Sequence, residues 1–125
     1  MKVWVNGSFD VIHFGHISLL KFASLLGEVR VGIDSDERVK KMKGSDRPVN
    51  TLQNRIAVIE SIRFVKDVVS YSSDEELILR IRDFQPDYIV VGAEYVDKVI
   101  GGEFAQIIYF DRIRPFSSTA IIKRK

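Results

Sequence analysis

The chain has 125 residues, enough for one domain with a hydrophobic core that needs no covalent staple. It contains no cysteine, which excludes disulfides, zinc–thiolate sites, iron–sulfur clusters and cysteine nucleophiles. A net charge of +2 is too small for a duplex-binding protein, which gathers far more positive charge on one face.

In chain order, residues 3–5 and 29–33 are short β-branched runs that lead into Gly, Ser, Asn or Asp, as buried strands entering loops do. Between them, HISLLKFASLLG spaces Ile17, Leu20, Ala23 and Leu26 as a helix would, with Gly27 as its stop. ERVKKMKGSDRPVN then reads as a solvated loop, or as a loop whose lysines reach a ligand. TLQNRIAVIESIRFV is a helix with Leu52, Ile56, Ile59 and Ile62 on one face and Thr51 as a cap. A short strand is expected around residues 68–69. SSDEELILRIRDF is a helix with acidic residues in its first turn, where exposed N–H groups favour negative charge. Gln85-Pro86 ends it. Residues 88–91 follow as a central strand, 107–110 as a last strand and 118–124 as a closing helix.

Strands alternating with helices predict a single doubly wound, Rossmann-like α/β domain over residues 1–125, with a mostly parallel sheet. Ligands of such folds sit at the carboxyl ends of strands. No run approaches membrane-spanning length, and MKVWVNGSFDV lacks the apolar stretch of a signal peptide. The expectation is a soluble, cytoplasmic protein with neither membrane nor nucleic acid as partner.

Both histidines of the chain lie in NGSFDVIHFGH, directly after the first strand. A metal site needs three or four ligands; two histidines without a thiolate do not complete one, so no metal ligand is assigned. A core or capping role for the imidazoles is the structural alternative. Against it stand Gly7 and Gly15, which permit close backbone approach, and the polar Asn6, Ser8 and Asp10. If His16 begins the first helix, its ring and the first-turn N–H groups face one space, an arrangement suited to phosphate oxygens. Two such imidazoles would grip a triphosphate and stabilise charge as its α-phosphorus is attacked.

GSFDVIHFGH resembles the G-x-F-D-x-x-H-x-G-H signature of the cytidylyltransferase-like nucleotidyltransferases. That family contains glycerol-3-phosphate cytidylyltransferase and the nucleotidyltransferase domain of bacterial ADP-heptose synthase. A second similarity, FSSTAIIKR at residues 116–124, matches the family's Ser/Thr-rich segment before a terminal helix. The resemblance implies that His13 and His16 are catalytic, binding and stabilising the triphosphate, and that Lys43 reaches phosphates from the basic segment. It implies nucleotide and phosphate contacts for Gly7, Ser8, Phe9, Asp10, Gly15, Arg55, Gly92 and Glu94, with Ser117, Ser118 and Thr119 at the β- and γ-phosphates. Asp10 has a loop-orienting or Asx-turn role as its alternative. Arg63 and Arg112 are the implied acceptor contacts, with snorkelling over apolar surface as the alternative for Arg55 and Arg63. Mg²⁺ is expected on the nucleotide phosphates, and a homodimer is expected.

Two branches of the family compete for the substrate. DSDERVKKMKGSDRPVNTLQNR is similar to the heptose branch, whereas Arg63 and Arg112 resemble the glycerol-phosphate branch. Cytidylyl transfer from CTP to a sugar or polyol phosphate is the reading preferred from sequence. Adenylyl transfer from ATP to heptose 1-phosphate is the alternative, and a non-catalytic nucleotide-binding module is a third.

Overall fold

The computed structural model describes residues 1–92 and 99–111, and the backbone of 120–123. Glu94, Arg112, Ser117, Ser118 and Thr119 lie outside the described residues. The elements are β1 (Lys2–Gly7), α1 (Phe14–Leu26), β2 (Glu28–Asp34), α2 (Asp36–Lys43), α3 (Leu52–Glu60), β3 (Asp67–Tyr71), α4 (Asp74–Phe84), β4 (Tyr88–Gly92), a 3₁₀ turn (Gly102–Phe104), β5 (Gln106–Phe110) and β6 (Ala120–Lys123).

The sheet order is β3-β2-β1-β4-β5-β6. Its first five strands are parallel, and β6 runs antiparallel on the outer edge. The doubly wound architecture expected from the alternating pattern is present. Period-two alternation divides the core between two faces. Val3, Val5, Val29, Val31 and Ile33 pack with Leu20 and Ala23 of α1 and Ile59 of α3. Trp4, Tyr71 and Ile89 point the other way, onto Leu77 and Ile81 of α4. The chain leaves β1 in one direction, winds to β3, and then crosses to β4 on the other side of β1. That reversal opens a crevice between the carboxyl ends of β1 and β4.

Three local expectations are corrected. Residues 36–43, read as loop, form α2: Ser35 caps it, Asp36 and Glu37 fill its first turn, and Lys40, Lys41 and Lys43 its last. Only Val39 of this helix is buried, so no apolar stripe announced it. The helix expected through residue 65 stops at Glu60. The expected closing helix is a strand over 120–123, in register with β5 through Ile108↔Ile122 and Tyr109↔Ile121. A run as short as Ala-Ile-Ile-Lys carries no decisive period, and the open edge of β5 supplies the ladder that settles it.

Candidate active site

The helix begins at Phe14 rather than His16, and the two histidines make its cap. His13 is the N-cap, and its Nδ1 accepts from the Gly15 N–H at 3.0 Å. His16, three residues on, reaches back so that its Nδ1 accepts from the His13 N–H at 3.2 Å. The pair thereby forms a capping box in which imidazoles replace the usual hydroxyl and carboxylate. Both acceptor nitrogens face backbone donors, so each neutral ring carries its proton on Nε2. The rings lie 4.1 Å apart, and His16 sits 5.5 Å from the Phe9 ring. The Gly15 N–H is spent on the cap.

The loop joining β1 to this cap is held in a strained shape. Phe9 adopts φ 48°, a left-handed conformation that a bulky residue rarely takes, while its ring is buried against the core. A side chain at Gly7 would place its Cβ 3.3 Å from that ring. Asp10 is buried, and its two oxygens accept the Val49 and Asn50 N–H groups, both at 2.8 Å. Asn50 returns a bond to the Asp10 carbonyl, and Arg47 approaches the carboxylate at 3.5 Å. Burial pushes this carboxyl's pKa up. The two backbone donors and the charges of Arg55 and Arg47 outweigh it and hold the pKa below the ordinary value.

The sign for stability follows. A depressed folded pKa contributes stability above the unfolded value of about 3.9, and that contribution is lost as pH falls through the folded value. Asp10→Asn is expected to cost about 1–3 kcal/mol at pH 7, and its deficit against the parent should shrink below about pH 4. Urea unfolding from pH 7 to pH 3 measures this. A deficit that stays constant over the whole range would assign Asp10 no pH-linked role.

Arg55 is the most enclosed charge in the region, with its side chain 0% exposed. Its Nε donates to Asn50 O at 2.9 Å, and its Nη1 to Ser8 O at 2.9 Å and Asp34 O at 2.7 Å. Its Nη2 pairs with Asp36 at 2.6 Å. One guanidinium thus ties the loop after β1, the end of β2, the start of α2 and the segment before α3. Arg63 stands apart, exposed past the end of α3, with its guanidinium 5.1 Å from the Phe64 ring.

These elements enclose a cavity of about 410 Å³ at the switch point. Gly7, Ser8, Phe9, His16, Lys43 and Gly92 line it, so six of the expected residues converge there. Lys43 ends α2 and donates from Nζ to Ser8 Oγ at 3.0 Å across the mouth. The structure does not bring His13, Gly15 or Arg63 to the wall, and Asp10 and Arg55 act on the loop from behind it. A second hollow, about 260 Å³, lies at the opposite strand ends among charges already paired, such as Arg30 with Asp67 and Lys66 with Glu28.

Four polar lining residues were given no site role from the sequence: Asn6, Asp34, Arg38 and Tyr71. Gly32 makes room for them, because a Cβ there would meet the Trp4 ring at 2.4 Å and Tyr71 at 3.0 Å. Trp4 Nε1 donates to Asn6 Oδ1 at 2.8 Å, and the Tyr71 hydroxyl bonds both Asn6 and Asp34. Arg38 donates from Nε to Asp34 at 2.9 Å and from Nη2 to Asp74 at 2.7 Å. Burial and the Asp34 carboxylate push the Tyr71 phenol up, so it remains a neutral donor. Burial works against the Arg38 charge, but Asp74 and Asp34 prevail and raise its pKa. An Asp closing an apolar strand was the one signal in the sequence that could have marked this cluster.

A doubly wound sheet, a cavity at its switch point and a histidine-capped helix whose His16 lines that cavity define a nucleotide-binding α/β domain. The cytidylyltransferase-like family model matches residues 4–124, and the chain belongs to that family, one of nucleotidyltransferases. It is 41% identical over 125 residues to the "Bifunctional protein HldE" of Campylobacter fetus, covering 98% of this chain and 27% of that protein. The protein of the same name from Helicobacter hepaticus is 40% identical over 124 residues, with 97% and 26% covered. The chain therefore spans about a quarter of the length of these relatives. A solved structure of the "lipopolysaccharide core biosynthesis protein" from Thermoplasma volcanium shares the fold, with TM-score 0.70 and 24% identity over 78% of this chain and 79% of that one.

Proposed function

We propose that this domain transfers an adenylyl group from ATP to heptose 1-phosphate, releasing pyrophosphate. The observation that carries the proposal is the similarity to HldE proteins along nearly the whole chain. HldE proteins are the bacterial ADP-heptose synthases, and the DSDERVKKMKGSDRPVN segment already leaned to that branch. This moves the reading from CTP, preferred from the sequence, to ATP. An oxygen of the acceptor phosphate attacks the α-phosphorus and forms the new P–O bond. The bond from the α-phosphorus to the bridging oxygen breaks, and its electrons leave with pyrophosphate.

In this reading the His13 and His16 Nε2–H groups and the Lys43 ammonium donate to the triphosphate, stabilising charge that grows in the transition state. Mg²⁺, when bound, neutralises phosphate charge and is carried by the nucleotide. Among the described residues no three His, Asp or Glu side chains could hold an ion, and the Asp10 carboxylate is occupied by backbone donors. Likewise no helix among the described residues is long and apolar enough to cross a membrane.

Pyrophosphate release over ATP and CTP, each with heptose 1-phosphate and glycerol 3-phosphate, tests the assignment. The ATP and heptose 1-phosphate pair should exceed every other by at least tenfold. Turnover confined to CTP with glycerol 3-phosphate would overturn it.

A further inference from the structure

We propose that Asn6, Asp34 and Arg38 form the recognition site for the hydroxyl groups of the sugar acceptor, whose phosphate is turned toward Lys43. This rests on the reading above, that a sugar phosphate is the acceptor. The cavity is chemically divided. Ser8, His16 and Lys43 form one set of lining groups, with N–H, O–H and ammonium donors. In the other set, joined by hydrogen bonds, Asp34 and Tyr71 occupy register-paired carboxyl ends of β2 and β3, with Asn6 near the end of β1. Around Arg38 one positive charge meets two carboxylates, Asp34 and Asp74. That balance disfavours a phosphate there and suits neutral hydroxyls, while the ammonium of Lys43 draws the anion toward itself.

The polar groups of this set are oriented in advance and retain bonding capacity among the described residues. A carboxylate offers about four acceptor sites, and Asp34 receives bonds from Arg38 and Tyr71. Arg38 lines the cavity with its side chain only 11% exposed, and two of its five guanidinium N–H groups go to Asp34 and Asp74. Asn6 is fixed by the Trp4 indole, whose bond sets its Oδ1 and turns the amide N–H₂ toward Tyr71 and the cavity. A vicinal diol offers both donors and acceptors, matching a carboxylate beside a guanidinium and an amide. An acceptor without those hydroxyls leaves buried groups unpaired, which is how such walls discriminate.

The test is titration calorimetry of heptose 1-phosphate and of ATP, separately, into the parent chain, Asp34→Asn and Asn6→Ala, with thermal melts confirming folding. Acceptor binding should weaken at least tenfold in each variant, and ATP binding should stay within twofold. As a check that needs no variant, monodeoxy analogues of heptose 1-phosphate should bind the parent at least tenfold more weakly at one hydroxyl position or more. That penalty should shrink in Asp34→Asn. Equal weakening of both ligands, or deoxy analogues that bind the parent as well as heptose 1-phosphate does, would overturn the proposal. Pyrophosphate release is followed on the same samples. Acceptor binding sensitive to Asp34 without turnover would sink the activity and leave the subsite standing. Turnover with binding insensitive to Asp34 would do the reverse.

Discussion

His16→Gln is expected to slow nucleotidyl transfer by about 10²–10³-fold, the effect of removing one oriented donor from a developing charge. Glutamine is the informative substitution. The ring of His16 closes the α1 cap through Nδ1 and lines the cavity, where the proposed function gives its Nε2–H a second task as donor to the triphosphate. Glutamine three residues after an N-cap reaches back to the cap's N–H as ordinary capping boxes do, so it preserves the first task and removes the second. Unfolding should therefore stay within about 1 kcal/mol of the parent, whereas His16→Ala also gives up the cap bond, worth about 0.5–2 kcal/mol. Steady-state turnover with saturating ATP and heptose 1-phosphate, beside a urea titration, separates the two. Full turnover in the glutamine variant would reduce His16 to a capping residue.

Arg55→Ala carries the largest expected stability cost, about 3–5 kcal/mol, the range for breaking a buried charged pair. Against a total stability of about 5–15 kcal/mol, the loss approaches global unfolding. The reason is the four-way tie. Without the guanidinium, the Ser8, Asp34 and Asn50 carbonyls lose their donor together, and Asp36 loses its partner. Arg55→Lys should recover part of the loss, because one ammonium cannot reach acceptors spread over four segments. In the lysine variant kcat should fall together with stability, since Ser8 anchors Lys43 across the cavity mouth. The family resemblance implies a phosphate contact for this arginine instead. A lysine variant as stable as the parent, with only its KM for ATP or acceptor raised, would favour that contact over the positioning role argued from burial.

The strand–helix alternation and the place of the histidines were legible because each depends on near neighbours in the chain. Val3 and Val5 alternate with Trp4 by the period of any strand, and the GSFDVIHFGH spacing holds within a single turn and loop. Helix α2 was hidden for the opposite reason. Its single buried side chain is Val39, and its place depends on Arg38 and Asp36 reaching Asp74 and Arg55, distant in sequence. The final strand was hidden because four residues take whichever period an open sheet edge offers, and β5 offers a ladder.

For the site, the sequence alone determined the chemistry available: two imidazoles, a lysine and glycine-lined turns after the first strand, with no thiol. Only the tertiary structure decided which groups face the ligand and which hold the frame. Arg55 and Asp10, to which the family resemblance assigned phosphate contacts, are consumed by partners in the frame, backbone groups for both and the Asp36 carboxylate for Arg55. Asn6, Asp34 and Arg38, given no ligand role from the sequence, are brought to the cavity wall. The physical reason is that a polar side chain's role depends on how many of its bonds the fold already uses. That is settled by segments that meet only when the sheet closes, where β2 lies against β1 and β3.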